Sequence, residues 1–239
     1  MNKTIELLYP DFCNIYAESY SVEYLERCCD KLTVIRTMNH DRPAFLDQDV
    51  DMIYLGCSPE RKQEQIIELL RPHTERIKEL IARGTIFLVT GNAIEIFGKE
   101  IRDGERIIPA LGLYDFYSVR YMQAERHNSQ YVGTFRTDSG EELTLLGHRS
   151  QFSYSYGDFG SNKFLDIEIG IGMNPDTKLE GIRDNNFYAT YSLGPYLILN
   201  PLFAKYLLAK MGLDDALIYE AEIIESYQYR LGELRRTLG

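Results

Sequence analysis

Short apolar runs and amphipathic stretches alternate along the first hundred residues. Runs rich in branched apolar residues predict four strands, with the sequences TIELLYP, TVIRTM, DMIYLG and TIFLVTG. Apolar residues at three- and four-residue spacing predict a helix over VEYLERCCDKL and a longer one from about Pro59 to Arg83, which Pro72 divides. Strands that alternate with helices at this spacing predict a parallel, doubly wound sheet with right-handed crossovers.

The pattern changes after residue 110, where Tyr, Phe, Val and Thr become frequent and turn sequences of the Asp-Ser-Gly and Gly-Asp type interrupt them. Strands are predicted over SVRYMQA, QYVGTFRT, EELTLLGHRSQFSYSY, KFLDIEIGIG and FYATYS, and two closing helices over PLFAKYLLAKM and residues 213–238. The whole pattern predicts an α/β fold with three α/β/α layers and a mainly parallel sheet, extended by mixed or antiparallel hairpins. We expect one domain over residues 1–239.

Ligands of open parallel sheets bind at the carboxyl ends of the strands. Three loops follow predicted strands, at residues 9–17, 56–60 and 90–93, and we expect them to converge on one crevice. The segment 85–98, TIFLVTGNAIEIFG, runs from a strand through a sharp turn into a helix. This layout is typical of an elbow that presents a catalytic nucleophile, yet the turn carries Gly91 and no cysteine or serine.

Composition narrows the classes of partner and cofactor. With 239 residues and 44% hydrophobic content the chain can bury a large core. A net charge of -10 disfavours nucleic acid and anionic membranes as main partners. The start of the sequence lacks a signal-peptide pattern, and no window approaches the ~20 apolar residues of a membrane span. These observations predict a cytoplasmic protein.

Cysteines and histidines give no sign of a cofactor. The four cysteines include an adjacent pair and no CxxC motif, and the four histidines include no pair at i, i+4 spacing. We therefore expect reduced thiols, no metal centre and no cofactor.

Five segments in order resemble one family over most of the chain: LYPDFCNIY, DMIYLGCSPERKQEQ, LVTGNAIEIFGKEI, LGLYDF and FYATYSLGPYLILNP. The family is the CobB/CobQ-like class I glutamine amidotransferases. Within it, the chain is most similar to the small glutaminase subunits of lipid II isoglutaminyl synthase, which amidates peptidoglycan precursors. The resemblance implies the class I amidotransferase fold and a Mur-ligase-like, ATP-dependent synthetase subunit as the partner. It also implies glutamine or another small carboxylate as a ligand.

The same resemblance places other residues at both catalytic positions. The family segment A-I-C-G-G-Y-Q-L-L-G, aligned on Gly98, puts Gly91 at the nucleophilic cysteine. The segment G-T-Y-L-H-G-P-L-L, aligned on residues 189–197, puts Leu193 at the histidine base. Hydrolysis through a thioester needs a thiolate and a base, and neither residue supplies one. The resemblance therefore implies a non-hydrolytic protein that serves as a binding or regulatory subunit.

Further family positions are altered. The glycine-rich turn that completes the oxyanion hole corresponds to Gly56-Cys57-Ser58, and we expect this bulkier turn to fill the pocket. In a segment of the type G-F-E-N-H the acidic residue becomes Arg149 and the histidine becomes Gln151. The residues we expect to line the ligand pocket are Gly56, Cys57, Ser58, Gly91, Asn92 and Arg126.

Three alternatives stay open at this stage. An active enzyme would need a rearranged site, in which Cys57 acts as a displaced nucleophile and His148 as a relocated base; both are also explained as ordinary loop and surface residues. Gly91 and Asn92 can cradle an anion or simply form a tight turn. The tyrosines of segment 152–156 fit an aromatic interface or a half-buried strand equally well.

Overall fold

The computed structural model describes residues 2–239. Its strands are β1 (Lys3–Leu8), β2 (Leu32–Thr37), β3 (Met52–Leu55), β4 (Ile86–Thr90), β5 (Glu100–Asp103), β6 (Arg106–Pro109), β7 (Phe116–Arg120), β8 (His127–Arg136), β9 (Glu142–Gln151), β10 (Ser153–Gly157), β11 (Lys163–Ile169), β12 (Leu179–Asp184) and β13 (Phe187–Thr190). Its α-helices are α1 (Tyr20–Cys28), α2 (Glu60–Leu70), α3 (Thr74–Arg83), α4 (Tyr196–Leu199), α5 (Pro201–Lys210) and α6 (Glu220–Leu238). Short 3-10 helices cover Ala44–Leu46, Arg71–His73 and Gly91–Phe97.

A nine-stranded sheet in the order β2-β1-β3-β4-β13-β12-β11-β8-β9 forms the centre of the molecule. The first five strands in this order are parallel, and the remaining four continue the sheet antiparallel. Alternate residues of β4 show its two faces: Phe87 and Val89 pack with α2 and α3, whereas Ile86 and Leu88 pack with α1 and α5. The predicted α/β/α layers are therefore confirmed.

The strands beyond residue 110 do not all extend this sheet. A separate four-stranded sheet has the order β10-β7-β5-β6. The run 141–156, which we predicted as one piece of the extension, divides at Phe152 into β9 of the main sheet and β10 of the small one. Alternating side chains indicate which face of a strand is buried and carry no information on which sheet the strand joins.

Most predicted elements occur within a few residues of their expected bounds. Pro72 lies in the 3-10 turn that separates α2 from α3, as expected for a residue that breaks the helical hydrogen bonding. The elbow helix is a 3-10 helix from Gly91 to Phe97. The last helix begins at Glu220 rather than at residue 213. None of the helices within residues 2–239 combines the length and the apolar character that crossing a membrane requires.

Candidate functional site

The three loops predicted to converge do meet at the carboxyl ends of β1, β3 and β4. They line a narrow cleft together with the β9–β10 junction and the segment after β13. Its volume is ≈ 80 Å³, whereas ligand sites usually measure about 300–1,000 Å³. Five of the six residues predicted for the pocket line the cleft: Cys57, Ser58, Gly91, Asn92 and Arg126. The sixth, Gly56, is the neighbour of Cys57 in the chain.

Gly91 forms the elbow turn and leaves no room for a side chain. Its φ of +64° lies in the left-handed region that favours glycine, and its N–H donates to the Ser192 carbonyl at 2.9 Å. A Cβ placed on Gly91 would lie 2.6 Å from Cys57 Cβ and 2.8 Å from Leu193 Cδ2. The Cys57 and Leu193 side chains thus fill the space beside Gly91.

The Gly56-Cys57-Ser58 turn has its own contacts within the protein. The Ser58 N–H donates to Asn92 Oδ1 at 3.0 Å, and Asn92 Nδ2 donates to the Ser58 carbonyl at 2.7 Å. The Ser58 N–H is therefore bonded to a side chain of the same protein and is not free for another acceptor. Together with the position of Cys57 beside Gly91, this arrangement leaves little free volume in the cleft.

Cys57 and His148 line different cavities, although the His148 carbonyl accepts the Leu193 N–H at 2.9 Å. Burial, reinforced by the nearby carboxylates of Glu18 and Glu95, raises the pKa of the Cys57 thiol to about 12, although the Asn92 N–H acts to lower it. His148 is exposed on β9 and lines a cavity of ≈ 260 Å³ beneath α6. The four histidines all belong to the described part of the chain, and none of them lines the cleft that contains Cys57.

We expect Cys57 to react slowly with alkylating agents at neutral pH. Its side chain is buried, and a pKa of about 12 leaves almost no thiolate. Mass spectrometry after iodoacetamide treatment should show Cys57 labelled at least about a hundredfold more slowly than an ordinary thiol with a pKa of ~8.5. The half-buried Cys28 is the internal reference. Preferential labelling of Cys57 would contradict this expectation and support a displaced nucleophile.

A buried carboxyl group lies beneath the elbow, and sequence reasoning missed it. Glu95 is 1% exposed and accepts hydrogen bonds from Ser153 Oγ, from Tyr191 OH at 3.2 Å and from Gln63 Nε2 at 3.1 Å. Burial raises its pKa, although these donors and the charge of Arg120 act in the opposite direction. In the sequence, the one sign of this buried carboxyl group was a single acidic residue within the apolar run AIEIF. This network joins the elbow to α2 and to both sheets.

Arg149 and Glu180 form a second buried pair, behind the segment that carries Leu193. Both side chains are fully buried, and Arg149 Nη2 lies 3.0 Å from Glu180 Oε1. Glu180 also accepts the Tyr191 N–H at 2.9 Å. Burial raises the pKa of Glu180, and the Arg149 charge lowers it. This arginine therefore pairs with an interior carboxylate and holds the end of β13, whereas Gln151, from the same segment, lines the cleft.

Arg126 stands at the mouth of the cleft. Its guanidinium donates to Tyr16 OH at 2.7 Å and lies 4.5 Å from the centre of the Phe152 ring. Tyr154 and Tyr156 continue from this point along the outer, half-buried face of β10. Within residues 2–239 no group of three or more His, Cys, Asp or Glu side chains is placed to hold a metal ion.

Comparison with known proteins agrees with this architecture. Residues 4–198 match the model of the CobB/CobQ-like glutamine amidotransferase domain. The chain is 26% identical over 212 residues to the GatD subunit of lipid II isoglutaminyl synthase (glutamine-hydrolyzing) from Staphylococcus aureus strain N315, covering 87% of this chain and 83% of that one.

Two solved structures from Thermotoga maritima share the fold. PurLQS has a TM-score of 0.52 at 14% identity and covers 97% of this chain and 100% of its own. A glutamine amidotransferase has a TM-score of 0.52 at 10% identity, with 98% of this chain and 96% of its own covered. At these identities the likeness shows the fold alone.

Proposed function

The chain belongs to the CobB/CobQ-like glutamine amidotransferase family, and we propose that it is a non-hydrolytic member, a binding or regulatory subunit related to the amidation of peptidoglycan precursors. The observation that carries the proposal is the mutual packing of Gly91, Cys57 and Leu193. The last two side chains approach the position of a Gly91 Cβ to 2.6 and 2.8 Å, so that they occupy the volume a nucleophile would need.

Amide hydrolysis through a thioester requires three components: a thiolate, a base that moves protons, and donors for the oxyanion. In this protein Gly91 stands where the thiolate would be, and Leu193 stands where the base would be. A donor for the oxyanion is also missing if it is the Ser58 N–H, because this group already donates to Asn92. Three altered features in one cleft support the absence of hydrolysis better than one altered residue would.

The relative from Staphylococcus aureus is named as a subunit of a synthase. By analogy we propose a Mur-ligase-like, ATP-dependent synthetase subunit as the partner, with the complex acting in the cytoplasm. The filled cleft leaves the rest of the fold in place, and its outer surfaces can still bind such a partner or a small carboxylate. This proposal assigns no catalytic residue to the chain.

A glutaminase assay tests the loss of hydrolysis. We expect the purified protein to release glutamate from glutamine at the rate of a no-protein blank, both alone and with a co-expressed synthetase subunit. A catalytically intact family member assayed with its own partner serves as the positive control. Release well above the blank that is abolished by Cys57→Ser or His148→Ala would instead establish the rearranged enzyme.

A further inference from the structure

The side-chain carboxamide of Asn92 makes two hydrogen bonds with the backbone of Ser58. The Ser58 N–H donates to Asn92 Oδ1 at 3.0 Å, and Asn92 Nδ2 donates to the Ser58 carbonyl at 2.7 Å. Only one orientation of the amide satisfies both backbone groups, because one is a donor and the other an acceptor. The backbone of Ser58 therefore forms a complete site for a primary carboxamide, and Asn92 occupies it.

The backbone of Asn92 is held independently of its side chain. Gln63 is fully buried on α2, and its Nε2 donates to the Asn92 carbonyl. Arg120 in turn donates to Gln63 Oε1. Removal of the Asn92 carboxamide would therefore leave the chain trace anchored, with an empty space of about the size of the missing group beside the Ser58 backbone.

This space would be reachable from solvent. Asn92 lines the cleft and is 9% exposed, although Ser58 itself is only 1% exposed. An outside molecule could reach the Ser58 backbone through the volume that the Asn92 side chain now fills. Cys57 and Leu193 narrow the cleft further, which limits any such molecule to a few heavy atoms.

We propose that Asn92 is a built-in ligand that keeps a carboxamide site closed, and that its removal opens the site to primary carboxamides of the size of acetamide. The inference rests on the proposed function in treating the cleft as a non-hydrolytic site. Its test measures binding and not hydrolysis, so that either proposal can fail while the other stands.

The experiment is a chemical rescue of Asn92→Ala by acetamide. The variant should melt below the wild type because it loses both hydrogen bonds and leaves Ser58 N–H and C=O without their partner. At about ten times its dissociation constant, acetamide should raise the melting temperature of the variant by on the order of a few degrees. The wild type should not respond. Acetate should act less than acetamide, because it offers no donor to the Ser58 carbonyl.

Asn200→Ala is the matched control. Asn200 is 1% exposed and makes the same pair of bonds with the Leu146 backbone, at 2.7 and 2.9 Å, but it does not line the cleft. Acetamide should not raise its melting temperature. An equal rise in both variants, or no rise in Asn92→Ala, would overturn the proposal.

Asn92→Ser provides a second readout in case the alanine variant does not fold. The Ser58 amide hydrogen should exchange slowly in the wild type, faster in Asn92→Ser, and slowly again with acetamide. Exchange at Ser58 that acetamide leaves unchanged in Asn92→Ser would overturn the inference as well.

Discussion

Replacement of Gly91 by cysteine is expected to destabilise the protein by about 2–5 kcal/mol and to restore no glutaminase activity. A φ of +64° costs a non-glycine residue about 1–2 kcal/mol. The new side chain must also displace Cys57 and Leu193, which approach its Cβ position to 2.6 and 2.8 Å, and overpacking of this kind costs typically about 1–3 kcal/mol. Urea unfolding of the variant and the wild type measures the difference.

Gly104→Cys is the control that separates the cost of backbone strain from the cost of side-chain crowding. Gly104 has a φ of +61° and no atom within 4 Å of an added Cβ, so its variant should lose only the strain energy of about 1–2 kcal/mol. In a Cys57→Gly background the cost of Gly91→Cys should fall towards this value, because the closest contact is gone. Equal costs for Gly91→Cys and Gly104→Cys would show that the cleft accommodates a nucleophile. Glutamate release by Gly91→Cys alone would contradict the filled site.

The same comparison tests how a protein of this fold would keep its structure after losing hydrolysis, as we propose for this chain. If a glycine at the elbow were the single change and the surrounding pocket were intact, one substitution to cysteine would restore the nucleophile. Here the Cys57 and Leu193 side chains fill the space beside Gly91, and the Asn92 side chain accepts the Ser58 N–H. Reactivation must therefore change several contacting positions together, which is the situation in which energies do not add.

Sequence reasoning reached the parallel half of the fold because periodicity reports burial directly. Strands β1, β3 and β4 are short apolar runs, and their carboxyl ends had to meet at one edge. The small sheet was missed because side-chain alternation is the same whether β10 pairs with β7 or continues beside β9.

The location of the site followed from the strand order, and the expected contents of the site followed from residue identity. Alignment to the family segments placed Gly91 and Leu193 at the altered positions. The pairing of Asn92 with Ser58 was not predictable, because these residues lie 34 positions apart and the bond depends on how two loops face each other. The burial of the Glu95 carboxyl group and the pairing of Arg149 with Glu180 were missed for a related reason, since the partners come from other strands and helices.

Arg149→Met is expected to cost about 3–5 kcal/mol at neutral pH, because it leaves the Glu180 carboxylate buried without its counter-charge. The remaining donors, the Tyr191 N–H and Thr190 Oγ1, do not replace a full positive charge. Denaturant unfolding measures the loss. The surface pair Arg235–Glu168 is the comparison: its side chains are 48% and 45% exposed, and Arg235→Met should cost no more than about 1 kcal/mol.

The pH dependence identifies the cause of this loss. Burial already raises the pKa of Glu180 above its ordinary value of 4.5, and removal of Arg149 raises this pKa further because the lowering charge is gone. A folded-state pKa above the unfolded one means that the stability linked to this group is fully present below pH 4.5 and is lost as the pH rises through the folded-state value. The deficit of Arg149→Met relative to the wild type should therefore shrink as the pH falls towards 4.5.

Glu180→Gln removes the titrating group and should show no such trend. Arg149→Met combined with Glu180→Gln should recover at least about half of the single-variant loss, because no buried charge is left unpaired. A deficit of Arg149→Met that stays constant with pH would assign the loss to packing against Tyr131, whose ring centre lies 5.2 Å from the guanidinium carbon, and not to the charge. Glu180 accepts the Tyr191 N–H. Arg149→Met should therefore also loosen the segment after β13, in which Leu193 packs against Gly91.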